Sequence, residues 1–269
     1  MRILVIPDVH QKLDKLSLIL ENNTFDTLIS LGDWFDDFYD TPEHTERTAK
    51  YILKLYSQFG ENFIWLLGNH DIPYLYPAAY DRYACSGNTR EKLKVVGRVL
   101  EGSKPLGFSP KLSHVVKIDG CLDFVLSHAG VTEHHFGEPL NKEISSDSVA
   151  QRCSIAEERL DMGLEDPVLN AGFARGGGER IGGITWADWF YEFGPIRSLS
   201  QIVGHTPLKR PEVVDGFSTR IAPDEELASL DRYIPKPDKS YNINIDTHLE
   251  NYLTIENNEI LIHKTSKLK

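Results

Sequence analysis

An apolar run that ends in a cluster of polar ligands, and then recurs, is the feature that most constrains this chain. Ile3-Leu4-Val5-Ile6 leads into Pro7-Asp8-Val9-His10. Thr27–Leu31 leads into Gly32-Asp33-Trp34-Phe35-Asp36, and Phe63–Leu67 into Gly68-Asn69-His70-Asp71. Short continuous apolar runs read as strands covered on both faces. Helical patterns separate them. Leu13, Leu16 and Leu20 recur at helical spacing. Thr41-Pro42-Glu43 offers an N-cap hydroxyl with Pro at the first helical position. Ala49, Ile52, Leu53, Tyr56 and Phe59 carry that helix's apolar face, and Gly60 closes it. Strand–helix–strand–helix–strand implies parallel pairing through crossovers. Ligands of such sheets bind beyond the carboxyl ends of the strands. Asp8, Asp33 and Asn69 are therefore expected at one edge, despite their separation in sequence.

The pattern weakens after Asp71. Residues 72–113 are rich in Tyr, Pro and Gly without a clear period, and read as an insertion over that edge. Tyr74, Tyr76, Tyr80 and Tyr83 are expected to anchor it as a lid, or to stack on a ligand. His114–Ile118 and Leu122–Ser127 form a hairpin signal joined at Asp119-Gly120. A second insertion covers about 133–183; within it residues 145–161 read as helix and 174–183 as a mobile glycine-rich loop. Leu199–Val203 reads as a strand leading to His205. Asn242–Asp246, Tyr252–Ile255 and Glu259–His263 read as an antiparallel finish with an Asn257-Asn258 turn. The expectation is one α/β domain over residues 1–269 carrying both insertions.

Composition narrows the classes. A hydrophobic fraction of 41% permits a sizeable core. The net charge of −11 argues against non-specific nucleic-acid binding. No stretch approaches the length of a membrane span. The opening apolar run is short and interrupted by Asp8, unlike a signal sequence. Cys85, Cys121 and Cys153 form no Cys-x-x-Cys pair, which suits reduced thiols and a cytoplasmic setting.

Carboxylate, amide oxygen and imidazole suit hard or borderline divalent cations. Asp8 and His10 are candidates to hold a first ion, and Asn69, His128 and His205 a second. Asp33 can bridge them, since one carboxylate has two oxygens. The cysteines stand apart from this set. His134 and His135 lie in a loop without such support.

The ordered set Asp8-x-His10, Gly32-Asp33-x-x-Asp36, Gly68-Asn69-His70-Asp71, His128-Ala-Gly130 and Gly204-His205-Thr206-Pro207 resembles the calcineurin-like metallophosphoesterases. The last two pieces look more like the phosphoprotein phosphatase branch, which includes bacterial and phage-type Ser/Thr phosphatases and symmetrical diadenosine tetraphosphatases. The resemblance spans residues 8–205, with a looser likeness at Ile245-Asp246-Thr247. It implies a four-layer αββα sandwich with two mixed sheets, and two divalent cations, with manganese, iron or zinc as the usual ions. It further implies a phosphorylated protein or small molecule as partner, and hydrolysis of monoesters by attack of a metal-bridging hydroxide. His70 would act as the general acid and Asp36 as the acceptor that orients it. The alternatives are hydrolysis of a dinucleoside polyphosphate or phosphodiester, and a metal-binding interaction module without catalysis.

Two departures from the family pattern bear on substrate. Asp37 stands where an arginine usually follows Gly-Asp-x-x-Asp, and Pro207 stands where another branch carries a second histidine. Arg175 and Arg180 flank Gly176–Gly178, and are the candidates to supply the missing phosphate clamp. No Gly-Lys-Ser/Thr follows, so the segment is not a nucleotide P-loop.

Overall fold

The computed structural model describes residues 1–101, 109–137, 143–216 and 232–268. Parts of both expected insertions, 102–108 and 138–142, lie outside the described residues. The elements run β1 (Arg2–Ile6), α1 (Leu13–Glu21), β2 (Thr27–Ser30), α2 (Pro42–Phe59), β3 (Phe63–Trp65), α3 (Ile72–Leu75), α4 (Tyr80–Tyr83) and α5 (Arg90–Leu100). They continue with β4 (Ser113–Val116), β5 (Phe124–Ser127), α6 (Glu133–Phe136), α7 (Ser146–Asp161), β6 (Ser200–Val203) and β7 (Glu212–Asp215). The described chain ends with β8 (Arg232–Tyr233), β9 (Tyr241–Asn244), β10 (Asn251–Glu256) and β11 (Glu259–Lys264).

Among the described residues there are two mixed sheets. One has the order β3-β2-β1-β10-β11-β8, with β1, β2 and β3 parallel, β10 antiparallel to β1 and β11 antiparallel to β10. The other has the order β4-β5-β6-β9-β7, with β5, β6 and β9 parallel.

Alternation along each strand explains the layers. Leu4, Ile6 and Leu28 pack against Leu16, Ile19, Ile52 and Val96 of the helices on one side. Their neighbours Ile3, Val5 and Ile29 face the second sheet, meeting Phe124, Leu126, Ile202 and Ile243. Val125 points the other way, into a layer with Val149, Cys153, Ala156 and Leu160 of α7. Side chains on a strand point alternately to opposite faces, so apolar runs without a polar partner demand cover on both. The result is helix, sheet, sheet, helix. The Thr41 side chain caps α2 by accepting from the His44 amide, with Pro42 at the first turn, as the sequence predicts.

Three expectations are corrected. The segment 72–113 contains the helix α5, whose Val95, Val96 and Leu100 are buried. Its period is obscured because a lysine, Lys92, occupies a core-facing position and Gly97 interrupts the solvent face. The chain end is not one antiparallel unit. β9 joins the second sheet beside β6, while β10 and β11 join the first. β7, unrecognised in the sequence, closes the second sheet's edge against β9. Finally, the glycine-rich loop is tied down rather than loose. The Glu192 carboxylate accepts hydrogen bonds from the amides of Ala174, Gly182 and Asp188.

Candidate metal centre

The loops after β1, β2, β3, β5, β6 and β9 leave the carboxyl ends of parallel strands, and these loops carry Asp8, Asp33, Asn69, His128, His205 and Asp246. The two sheets lie face to face, so these ends make one common edge. Two groups of ligand atoms converge there: Asp33, His128 and His205, and Asp8, His10 and Asp33, each with its atoms within 4.8 Å of one another. Asp33 belongs to both.

The backbone sets which ring nitrogen each histidine presents. His10 Nδ1 lies 2.7 Å from the Asp36 carbonyl oxygen, and His128 Nδ1 lies 2.8 Å from that of Leu31. A carbonyl only accepts, so Nδ1 carries the proton in each neutral ring, and Nε2 is the nitrogen whose lone pair a cation would take. His10 Nε2 then faces Asp8 at 4.0 Å and Asp33 at 3.7 Å. His128 Nε2 faces Asn69 Oδ1 and His205 Nδ1, both at 3.1 Å, and Asp33 Oδ2 at 3.3 Å. These are lone pairs and carboxylates aimed at one another. A His205 ring nitrogen and one Asp246 carboxylate oxygen are also buried without a partner. A cation among these lone pairs and carboxylates resolves the repulsion, so the side chains fit divalent metal.

Without a cation a proton takes its place: burial lowers His128, but Asp33 and Asp8 outweigh it and raise the ring to about 9. Burial, with Asp246 and Asp33 nearby, pushes the Asp8 carboxyl well above its usual range. Asp33 is buried too, but His128, His70 and His10 hold it well below the carboxylate norm. Burial, with His128 and Arg175, keeps His205 well below the usual imidazole value.

The motif glycines make the close approach possible. A Cβ at Gly204 would sit 2.2 Å from Asp8 Oδ1, and one at Gly68 would sit 2.1 Å from Asp33 Oδ1. His10, Asp33, Asp36 and His205 all adopt positive φ, between 40° and 67°. Such backbone costs of order 1 kcal/mol or more for a non-glycine residue, and clusters where function demands it.

His70 sits on the rim, its amide donating to Asp33 and its Nδ1 3.1 Å from Asp36 Oδ2. Burial alone would lower its pKa. Asp33, Asp36 and Cys85 reverse this and raise it well above the usual histidine range. Asp71 is structural: its carboxylate accepts from the amides of Trp34 and Gly68 and from the Trp65 indole, fixing the turn that presents Asn69 and His70.

The two arginines part company. Arg175 donates to the Thr206 hydroxyl at 2.9 Å, beside His205, and its Nε lies 2.9 Å from Asp188. Arg180 is exposed and pairs with nothing among the described residues. Trp186 stands edge-on to the His205 ring. Asp246 is the site-edge residue only loosely signalled in sequence; the signal available was that it, too, follows a strand, Tyr241–Asn244, whose apolar residues alternate with asparagine. Lys92, Asn88 and Tyr74, all of which touch Asp36, carried no motif.

A family model described as calcineurin-like phosphoesterase matches residues 1–207. The chain belongs to that family. Its fold is the mixed α/β sandwich of two sheets flanked by helices, and its members are metal-dependent hydrolases of phosphate esters. Comparison with curated proteins gives no match. Among solved structures, a metallophosphoesterase from Sphaerobacter thermophilus is 16% identical, with 98% of this chain and 87% of that one covered, at a TM-score of 0.48. A protein serine/threonine phosphatase from Saccharomyces cerevisiae is 10% identical, with 98% and 79% covered, at 0.47. A dimetal phosphatase from Danio rerio is 12% identical, with 94% and 91% covered, at 0.38. None of these likenesses bears on substrate. No helix among the described residues is long and apolar enough to cross a membrane.

Proposed function

We propose that this phosphoesterase hydrolyses phosphate monoesters, of phosphorylated Ser/Thr proteins or small molecules, with two divalent cations. Asp8, His10 and Asp33 would hold one and Asp33, Asn69, His128 and His205 the other. The observation supporting this most is the convergence of those side chains on one edge, with the His70–Asp36 pair beside them. Oxygen and imidazole donors suit manganese, iron or zinc. When bound, the cations supply positive charge for the phosphoryl oxygens and make a solvent nucleophile more acidic.

The chain's own residues do the rest. Asp33, shared by both groups, sets their spacing. His10 and His128 are held in one tautomer by backbone carbonyls. His70, anchored through Nδ1 on Asp36, keeps a proton at Nε2 for the leaving oxygen. Arg175 has its charge paired with Asp188 and one Nη donated to Thr206, which leaves its other Nη for a phosphate oxygen.

The test is a panel of para-nitrophenyl phosphate, its bis-ester, a phosphopeptide and diadenosine tetraphosphate, each with added manganese. Turnover of the monoesters is expected. Activity confined to the bis-ester or the dinucleotide would replace this reading with diester or polyphosphate hydrolysis. Silence on all four, with manganese bound, would replace it with a binding module.

A further inference from the structure

The segment from Gly87 to Lys92 lies outside every motif, yet it grips Asp36. Lys92 Nζ donates to Asp36 Oδ1 at 2.9 Å, to Asp40 Oδ1 at 2.6 Å and to the Gly87 carbonyl at 2.9 Å. An ammonium has three donors, and all three are used. The side chain is only 6% exposed, and a lysine is rarely buried so deeply unless paired. It also sits in the first turn of α5, just after the Thr89 cap, where a cation opposes the helix dipole. Helix stability therefore does not explain its place.

Seen from Asp36, the carboxylate is saturated. Oδ1 accepts from Lys92 and from the Tyr74 hydroxyl at 2.7 Å. Oδ2 accepts from Asn88 Nδ2 at 2.5 Å and faces His70 Nδ1 at 3.1 Å. Four partners match the roughly four acceptor positions a carboxylate offers. The group can neither rotate nor exchange oxygens without losing a bond. Lys92 also separates Asp36 from Asp40, which would otherwise meet as unshielded like charges.

We infer that Lys92 and Asn88 are positioning residues for the His70–Asp36 pair: the insertion locks the Asp36 carboxylate so that Oδ2 meets His70 Nδ1 and leaves Nε2 to serve the leaving group. This rests on the reading of His70 as proton donor. It makes the insertion part of the working apparatus as well as a cover over it.

Leaving-group dependence tests it, because a proton donor matters for a poor leaving group and little for a good one. The manganese-loaded enzyme and its variants are assayed on phenyl phosphate and on 2,4-dinitrophenyl phosphate. Lys92→Met and Asn88→Ala are each expected to lower kcat on phenyl phosphate by about tenfold or more, and on the dinitrophenyl ester by less than about twofold. KM and bound manganese should not change, and Lys92→Arg should recover part of the loss. Asn88 is only half-buried, so its variant reports even where Lys92→Met does not fold. Equal losses on both esters, or none, would overturn the inference. His70→Asn serves as the reference. If it shows the leaving-group dependence and the two variants do not, only this inference fails. If it lacks that dependence, the proton-donor reading has failed, and the inference with it.

Discussion

Replacing Gly204 by alanine should cripple the centre although every ligand residue is kept. The added Cβ would sit 2.2 Å from Asp8 Oδ1, whereas ordinary contact begins near 3.4 Å. The methyl belongs to a backbone held by the Gly204 amide bond to the His128 carbonyl, at 2.7 Å, so the carboxylate must give way. It would retreat by about 1 Å. That motion also stretches the bonds from the His205 amide to both Asp8 oxygens, now 3.1 Å each. A displacement of about 1 Å in a catalytic array costs on the order of 100-fold, or about 2.7 kcal/mol. Isothermal titration with manganese and steady-state kinetics on para-nitrophenyl phosphate would read it. The expected result is a loss of about 10- to 100-fold in metal affinity and about 100-fold in kcat, with the circular dichroism spectrum unchanged. A Gly204→Ala enzyme with wild-type manganese affinity and turnover would refute the claim that this glycine exists to admit Asp8.

Three further outcomes are expected. Arg175→Ala should raise KM or lower kcat at least tenfold, about 1.4 kcal/mol, while Arg180→Ala stays within about twofold, as paired kinetics would show. Chelation with EDTA should abolish turnover and lower the melting temperature, because Asp8, Asp33 and Asp246 would then crowd without a counter-charge; manganese at 100 times its Kd should return about 2.7 kcal/mol, read by calorimetry. Gly97→Ala, on the exposed face of α5 with nothing within 4 Å of its Cβ, should stabilise by about 0.4–1 kcal/mol and raise Tm by roughly 1–4 °C, with activity unchanged.

Much of the candidate site was legible because each ligand sits just past an apolar strand, and a parallel sheet returns such ends to one edge. Asp8, Asp33 and Asn69 could be grouped on that ground alone. His70 next to Asn69 had to share the rim. Local chemistry also marked the α2 cap and the Asn257-Asn258 turn, where both residues adopt positive φ. These features depend on neighbours in sequence, so the sequence displays them.

Other features depended on contacts the chain makes only after it folds. Whether β9 pairs with β6 or with β10 is a choice between two apolar surfaces, and the pattern of Tyr241–Asn244 suits either. The burial of Lys92 against Asp36 joins positions 56 residues apart, and a lysine in a helix reads as solvent-facing until its partners are known. Arg175 and Arg180 flank the same glycines, and only the packing of Thr206 and Asp188 distinguishes them. Residue type and strand order thus determined which chemistry can gather at the edge. Long-range pairing of charge with charge decided which side chains are locked there, because that energy arises only when distant groups leave water together.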